Sequence, residues 1–170
     1  MVIDTIIDIK RKNFKSVLNY LRMRGDCQKK ELAGELKLSF ATVSSMINDM
    51  MRIGLVAEVR KDQKLVGRAP KAFTLCVNRY VSVVADIHHT QVDQCVQFTI
   101  VNLRSEMIAT KSAHCSEKNG IACFVDDMAR AYREFLAEAG FREESVIGVG
   151  IVSRGMFDSR TERVVGPSIS

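Results

Sequence analysis

No two cysteines in this sequence stand at C-x-x-C spacing, and the five present, Cys27, Cys76, Cys95, Cys115 and Cys123, are odd in number. That argues against a disulfide framework and reads as reduced, mostly buried thiols in a cytoplasmic protein. The histidines His88, His89 and His114 form no cluster with metal-ligand spacing, so no metal and no cofactor are expected. No apolar run approaches the roughly 20 residues that a membrane span requires, so no membrane partner is expected. The opening stretch MVIDTIIDIKRK carries Asp4 and Asp8 inside its apolar run, which does not fit a signal peptide. Internal repeats and low-complexity segments are also missing.

What is present is a chain of 170 residues, 46% hydrophobic, long enough for one large domain or two small ones with a real core. Its net charge of +5 is unevenly spread. Residues 1–80 hold 16 Lys and Arg against 8 Asp and Glu, a net of +8; residues 81–170 hold 9 against 12, a net of −3. A basic first half beside a slightly acidic second half suggests a nucleic-acid module joined to something else.

The stretch Gln28 to Ile53 carries the most information. Leu32, Ala33 and Leu36 recur at helical spacing, then Lys37-Leu38-Ser39 breaks the pattern. Val43, Met46, Ile47 and Met50 form a second stripe, widened by Met51 and Ile53, with Ser39 at the N-cap position and Gly54 as the stop. The opposite face of this second helix carries Ala41, Thr42, Ser45, Asn48 and Arg52, small or polar side chains that suit a helix lying in a DNA groove. The alternative is a pair of ordinary amphipathic core helices. LVAEVR and KAFTLCVN then read as two strands joined by KDQKLVGRAP, a hairpin with a basic tip, so the order becomes helix, turn, helix, wing.

Ahead of this stretch, Met1–Lys12 reads as a helical arm ending in Lys10-Arg11-Lys12. Phe14, Val17, Leu18 and Leu21 form the inner stripe of a bracing helix that ends near Gly25. Asp26 is the better cap for the next helix by chemistry, and Gln28, Lys29 and Lys30 sit on that helix's polar face. Past Tyr80 the rhythm changes. VSVVADI, QCVQFTIVNL and EMIATKSAH read as three short strands with turns at His88–Asp93 and Asn102–Ser105. Ile121–Ala139 reads as a helix with Phe124, Val125, Met128, Tyr132, Phe135 and Leu136 inward and Gly140 as its stop. SVIGVGIV, residues 145–152, reads as a buried strand. Strand, strand, strand, helix, strand is an α/β pattern.

Three places in this order carry a resemblance to the ROK family of bacterial regulators and sugar kinases, in the form with an N-terminal winged helix. ELAGELKLSFATVSSMINDMMRIGLVAE is similar to that family's helix-turn-helix. Gly67-Arg68-Ala69-Pro70 is similar to its G-R-P wing. Val81–Thr90 with Ile147–Asp158 resembles the first strand and the later G-x-G-x-x-x-x-G-x-x-D stretch of the sugar-kinase-like domain. The resemblance implies an α+β chain: residues 1–78 as a winged helix-turn-helix domain, and 79–170 as an α/β half-domain of the actin and ribonuclease H type, the first part of an effector domain.

The sequence also departs from the family pattern. Asp86-Ile87-His88-His89-Thr90 stands where the kinases have D-x-G-G-T, and histidine there blocks the close backbone approach that glycine allows to a phosphate. No useful ATP binding and no enzymatic activity are therefore expected, with His88 and His89 as exposed turn residues. The family's sugar pocket, catalytic Asp and cysteine-rich zinc motif lie beyond Ser170. Family members often carry Arg or Lys near positions 40 and 45, where this chain has Phe40 and Ser45. Base reading then rests on Thr42, Ser44, Ser45 and Asn48, with Phe40 against a thymine methyl, and affinity rests mainly on phosphates and the wing.

The resulting expectation is a homodimeric, cytoplasmic regulator of transcription that binds double-stranded DNA, most simply a repressor of carbohydrate genes, answering to a sugar or sugar phosphate only if the rest of the effector domain is present. Its contact set is Lys29, Lys30, Ser39, Phe40, Thr42, Ser44, Ser45, Asn48, Arg52, Lys64, Arg68 and Lys71. Two other classes compete: a protein-interaction module that uses the winged helix, and the remnant of a sugar kinase.

Overall fold

The computed structural model describes residues 2–60, 71–89, 94–115, 120–153, 156–158, 160 and 163–165. The chain divides into two compact units, Met1–Arg79 and Tyr80–Ser170.

In the first unit, α1 runs from Val2 to Arg24, α2 from Lys29 to Glu35 and α3 from Phe40 to Arg52. Strands β1 (Val56–Arg60) and β2 (Lys71–Leu75) follow as an antiparallel pair. The arm and the bracing helix expected from the sequence are one helix, because no glycine or proline interrupts the chain between Lys10 and Leu21. Val17 and Leu21 of α1, Leu32 of α2, the α3 stripe Val43, Met46, Ile47 and Met50, and Leu55, Ala72, Phe73 and Leu75 of the hairpin region are all buried. The residue before α2 is also not the expected one. Cys27 exchanges two backbone hydrogen bonds with Phe73 (3.1 and 2.8 Å), which fixes it in extended geometry. The helix therefore starts two residues later, with Gln28 as N-cap in place of Asp26.

Both ends of α3 are specified locally. Ser39 adopts extended backbone, and its Oγ accepts the Thr42 N–H at 3.0 Å. At the other end the N–H of Gly54 reaches Met51 O (3.0 Å) and that of Leu55 reaches Met50 O (2.9 Å), a Schellman closure. Gly54 has φ +72, and a Cβ there would stand 3.1 Å from the Arg79 Nε. Glycine thus meets both the backbone and the space requirement.

The second unit is a four-stranded sheet in the order β5-β4-β3-β6. Its strands are β3 (Val81–His89), β4 (Gln94–Asn102), β5 (Met107–Cys115) and β6 (Val146–Ser153), with α4 (Ile121–Glu138) between β5 and β6 in sequence. β3, β4 and β5 form an antiparallel meander, and β6 returns parallel to β3. A short 3-10 turn, Glu143–Ser145, leads into β6, and a small hairpin, β7 (Met156–Asp158) with β8 (Arg163–Val165), follows it. Period-2 alternation puts Val81, Val83 and Ala85 of β3, and Val96, Phe98 and Ile100 of β4, on one face. Phe124, Phe135 and Leu136 of α4 cover that face. The Phe98 ring lies 6.5 Å from that of Tyr132 and 6.3 Å from that of Phe135, within aromatic contact range.

Three sequence expectations differ here. Val125 is exposed and does not face inward with the rest of the α4 stripe. His88 and His89 belong to β3 and are not turn residues, because the β3–β4 ladder continues to His89 opposite Gln94. β6, expected as a buried strand, is exposed along nearly its whole length. Its unbroken apolar run has the composition of a parallel strand covered on both faces, yet α4 lies over β4 and β5, and β6 stands at the sheet's far edge.

Candidate nucleic-acid interface

At 100° per residue, burying Val43, Met46, Ile47 and Met50 turns Ala41, Ser45, Asn48 and Arg52 to the far side of α3. All four are exposed. One flank of this surface faces α2 and the wing strands. There the Lys29 ammonium donates to Ser44 Oγ (3.0 Å) and to Asn48 Oδ1 (3.2 Å), and it sits 5.1 Å from the centre of the Phe73 ring. Three residues of the expected contact set are thus joined in one cluster. The Asn48 amide oxygen accepts from Lys29 and keeps a second lone pair, and its NH2 can donate.

Beside the cluster lies an open groove of about 400 Å³ lined by Gln28, Lys29, Lys30, Phe40, Asn48, Met51, Glu58, Lys71 and Phe73. Phe40 is 59% exposed at its rim. Met51, read from the sequence as widening the core stripe, faces out here, and Phe73 and Glu58 were not legible as members of this surface at all. Their membership depends on the wing folding back beside α3, which no local pattern reports. On the opposite flank Asp49 takes Arg52 (3.1 Å) and Lys10 (3.7 Å).

The remaining expected residues fall as follows. The hydroxyls of Ser39 and Thr42 lie 2.8 Å apart and serve the cap. Lys30 and Ser45 are exposed. Lys71 pairs with Glu58 across the hairpin at 2.9 Å. Lys64 and Arg68, with the rest of the wing tip, lie outside the described residues. Tyr20 of α1 steadies α2 by donating to Glu31 at 3.3 Å. Partial desolvation, then the nearby Glu31 and Glu35 carboxylates, push its phenol pKa up. The ion pairs at the rim are exposed and worth about 0–1 kcal/mol each, so Arg52 and Lys71 can exchange a carboxylate for a phosphate at little cost.

In the second unit, strand register sets His88, Cys95 and His114 side by side on the sheet face away from α4. His88 Nε2 is engaged by Asp86 at 3.2 Å. Among the described residues no group of three His, Cys, Asp or Glu is arranged to hold a metal ion. None of the five cysteines is in a disulfide; Cys27 and Cys115 are buried and Cys123 is exposed. Among the described residues no helix is long and apolar enough to cross a membrane.

The class these features define is a winged helix followed by an α/β half-domain. Comparison with known proteins agrees with it. The family model for the FeoC like transcriptional regulator matches residues 14–70, a stretch that holds α2, α3 and β1. A crystal structure described as a ROK family transcriptional regulator, homolog of the E. coli MLC protein, superposes with a TM-score of 0.66 at 15% identity, over 92% of this chain and 38% of that one. The chain therefore spans well under half the length of that structure. The resemblance read from the sequence holds at the level of fold, across both units. No curated protein sequence matches the chain.

Proposed function

We propose that this chain is a DNA-binding regulator of transcription. The observation that carries the proposal is the exposed face of α3, Ala41, Ser45, Asn48 and Arg52, held rigid by the Ser39 cap and the Lys29 cluster on a winged helix of net positive charge. Residues 1–78 form the DNA-binding domain in this reading, and 79–170 the first part of an effector domain. Asn48 and Ser45 read base edges, with Thr42 and Ser44 beside them and Phe40 against a thymine methyl. Lys30, Arg52 and Lys71, with Lys29 and the wing residues Lys64 and Arg68, meet phosphates. Ser39 contributes by capping the reading helix.

The same proposal extends to a cytoplasmic homodimer on a two-fold operator, acting as a repressor of carbohydrate genes with a sugar or sugar phosphate as effector. The sequence resemblance to the ROK regulators, and the fold shared with the superposed MLC homolog, support this extension. Selection of bound sequences from a random duplex pool tests the reading. Enrichment of one motif by the native chain is the expected result, and an unenriched pool contradicts base reading by α3.

One observation favours a second reading. Phe40 and Met51 expose apolar surface at the rim of a groove floored by Phe73. A partner protein's side chain fits such a groove as well as a base does. Duplex DNA that fails to compete with a bound protein partner would favour this alternative.

A further inference from the structure

The two flanks of the α3 reading face carry cations from different elements. On one flank Lys29 and Lys30 of α2 and Lys71 of β2 line the groove beside Asn48. On the other the Asp49 carboxylate stands between Arg52 of α3 (3.1 Å) and Lys10 of α1 (3.7 Å). Lys10 leads into a second open groove, about 560 Å³, whose described lining is Ile7, Lys10, Arg11, Phe14 and Lys15. At 100° per residue these follow one another around α1 in the order Lys10, Phe14, Ile7, Arg11, Lys15, an arc of about 140°. The floor is therefore apolar and both margins are cationic. Ile7, Arg11 and Lys15 are exposed, and the Lys10 side chain is 69% exposed. Between Ile7 and Lys15 the only acid is Asp8, against Lys10, Arg11, Lys12 and Lys15.

We propose that this α1 groove is a second contact for the sugar–phosphate backbone of duplex DNA, on the strand across the major groove from the one met by α2 and the wing. The proposal rests on the reading of α3 as the helix that enters the groove. Two dimensions carry it. A major groove is about 12 Å wide and a helix with its side chains about 10–12 Å across, so a helix seated there has a row of phosphates against each flank. α2 and β2 meet one row, and α1 is the element that the Lys10–Asp49–Arg52 bridge sets against the other. The lining fits such a chain. Lys10, Arg11 and Lys15 offer charge to the phosphates, and the floor of Ile7 and Phe14 takes the apolar face of a deoxyribose. In the free chain Asp49 holds the place of a phosphate between Lys10 and Arg52. Both cations are largely exposed, so exchanging the carboxylate for a phosphate costs little.

Titration of the full chain with fluorescent random duplex DNA, at several salt concentrations, tests it. Lys10→Ala, Arg11→Ala and Lys15→Ala should each make the log–log salt slope shallower by about 1 and weaken binding about eightfold at about 0.1 M salt. Lys12→Ala removes the same charge from the same helix, at a position about 130° from the groove's centre, and should leave slope and affinity close to native. All four side chains are exposed, and an unaltered melting temperature confirms that each variant is folded. Native binding with a slope that the three groove variants leave unchanged overturns this proposal alone, and gives the groove to an acidic protein segment. An equal loss from Lys12→Ala also overturns it, because net charge and not the groove would then be acting. A native chain that binds no duplex overturns the reading of α3 as well.

Discussion

The two units solve the same burial problem to different degrees. The winged-helix unit closes its core from three helices and a hairpin. Its stripe residues on α3 are almost fully buried, and its far side is polar and basic. The α/β unit closes only the part of its sheet that α4 reaches, and β6 carries an apolar stripe that nothing described covers. A closed unit is free to devote its surface to an external ligand. A half-closed one still has apolar surface to bury, and the most direct way is against more protein. The nucleic-acid contact proposed above rests on the first unit for that reason.

The largest expected effect breaks the second unit where it is closed. Phe98→Ala removes a ring packed between Tyr132 and Phe135 and should cost about 3–5 kcal/mol, read as a lower denaturant midpoint. Val149→Lys on the open part of the same sheet should cost less than about 0.5 kcal/mol. A large loss from the second substitution would show that β6 is covered within the monomer.

Next comes the reading face. Asn48→Ala should weaken binding to a selected sequence by about 1–3 kcal/mol while leaving random duplex nearly unaffected. An equal loss on both would make Asn48 a phosphate contact and move base reading elsewhere on α3.

Ser39→Ala should lower the stability of the first unit by about 1 kcal/mol through loss of the cap to Thr42. Thermal unfolding reads it, and Ser39→Asp should restore most of the loss.

The smallest effect is alkaline. Burial, then the Asp127 carboxylate, raises the Cys115 thiol above its ordinary 9.0. Burial, then Glu143, raises the Tyr132 phenol above 10.0. Between the unfolded and folded values the native state binds the extra proton, so stability is full below pH 9 and falls as pH rises through the folded values. Melting scans from neutral to alkaline pH should show the decline, and Cys115→Ala should lessen it.

Much of the first unit was legible because its signals are local. Helical spacing, a serine N-cap and a C-terminal glycine fix α3 within one or two residues. The polar face follows from period alone. What the sequence did not show depends on contacts between distant segments. Cys27 pairs with Phe73 and moves the start of α2, and Lys29 reaches Ser44 and Asn48 fifteen and nineteen residues away. Phe73 and Glu58 enter the groove only because the wing folds beside α3. In the second unit, the succession of strands and helix and most of the α4 stripe, Val125 excepted, were readable. The exposure of β6 was not, since its apolar run has the composition of a strand covered on both sides.

The measurement that bears most directly on α3 as a DNA-reading helix is fluorescence anisotropy with random duplex DNA, titrated at several salt concentrations. Lys30, Arg52, Lys71 and the wing cations meeting phosphates should give binding that weakens with a log–log salt slope of about −3 or steeper. Absence of binding at low salt by a folded chain would contradict the assignment and turn the exposed face and its groove into a protein contact.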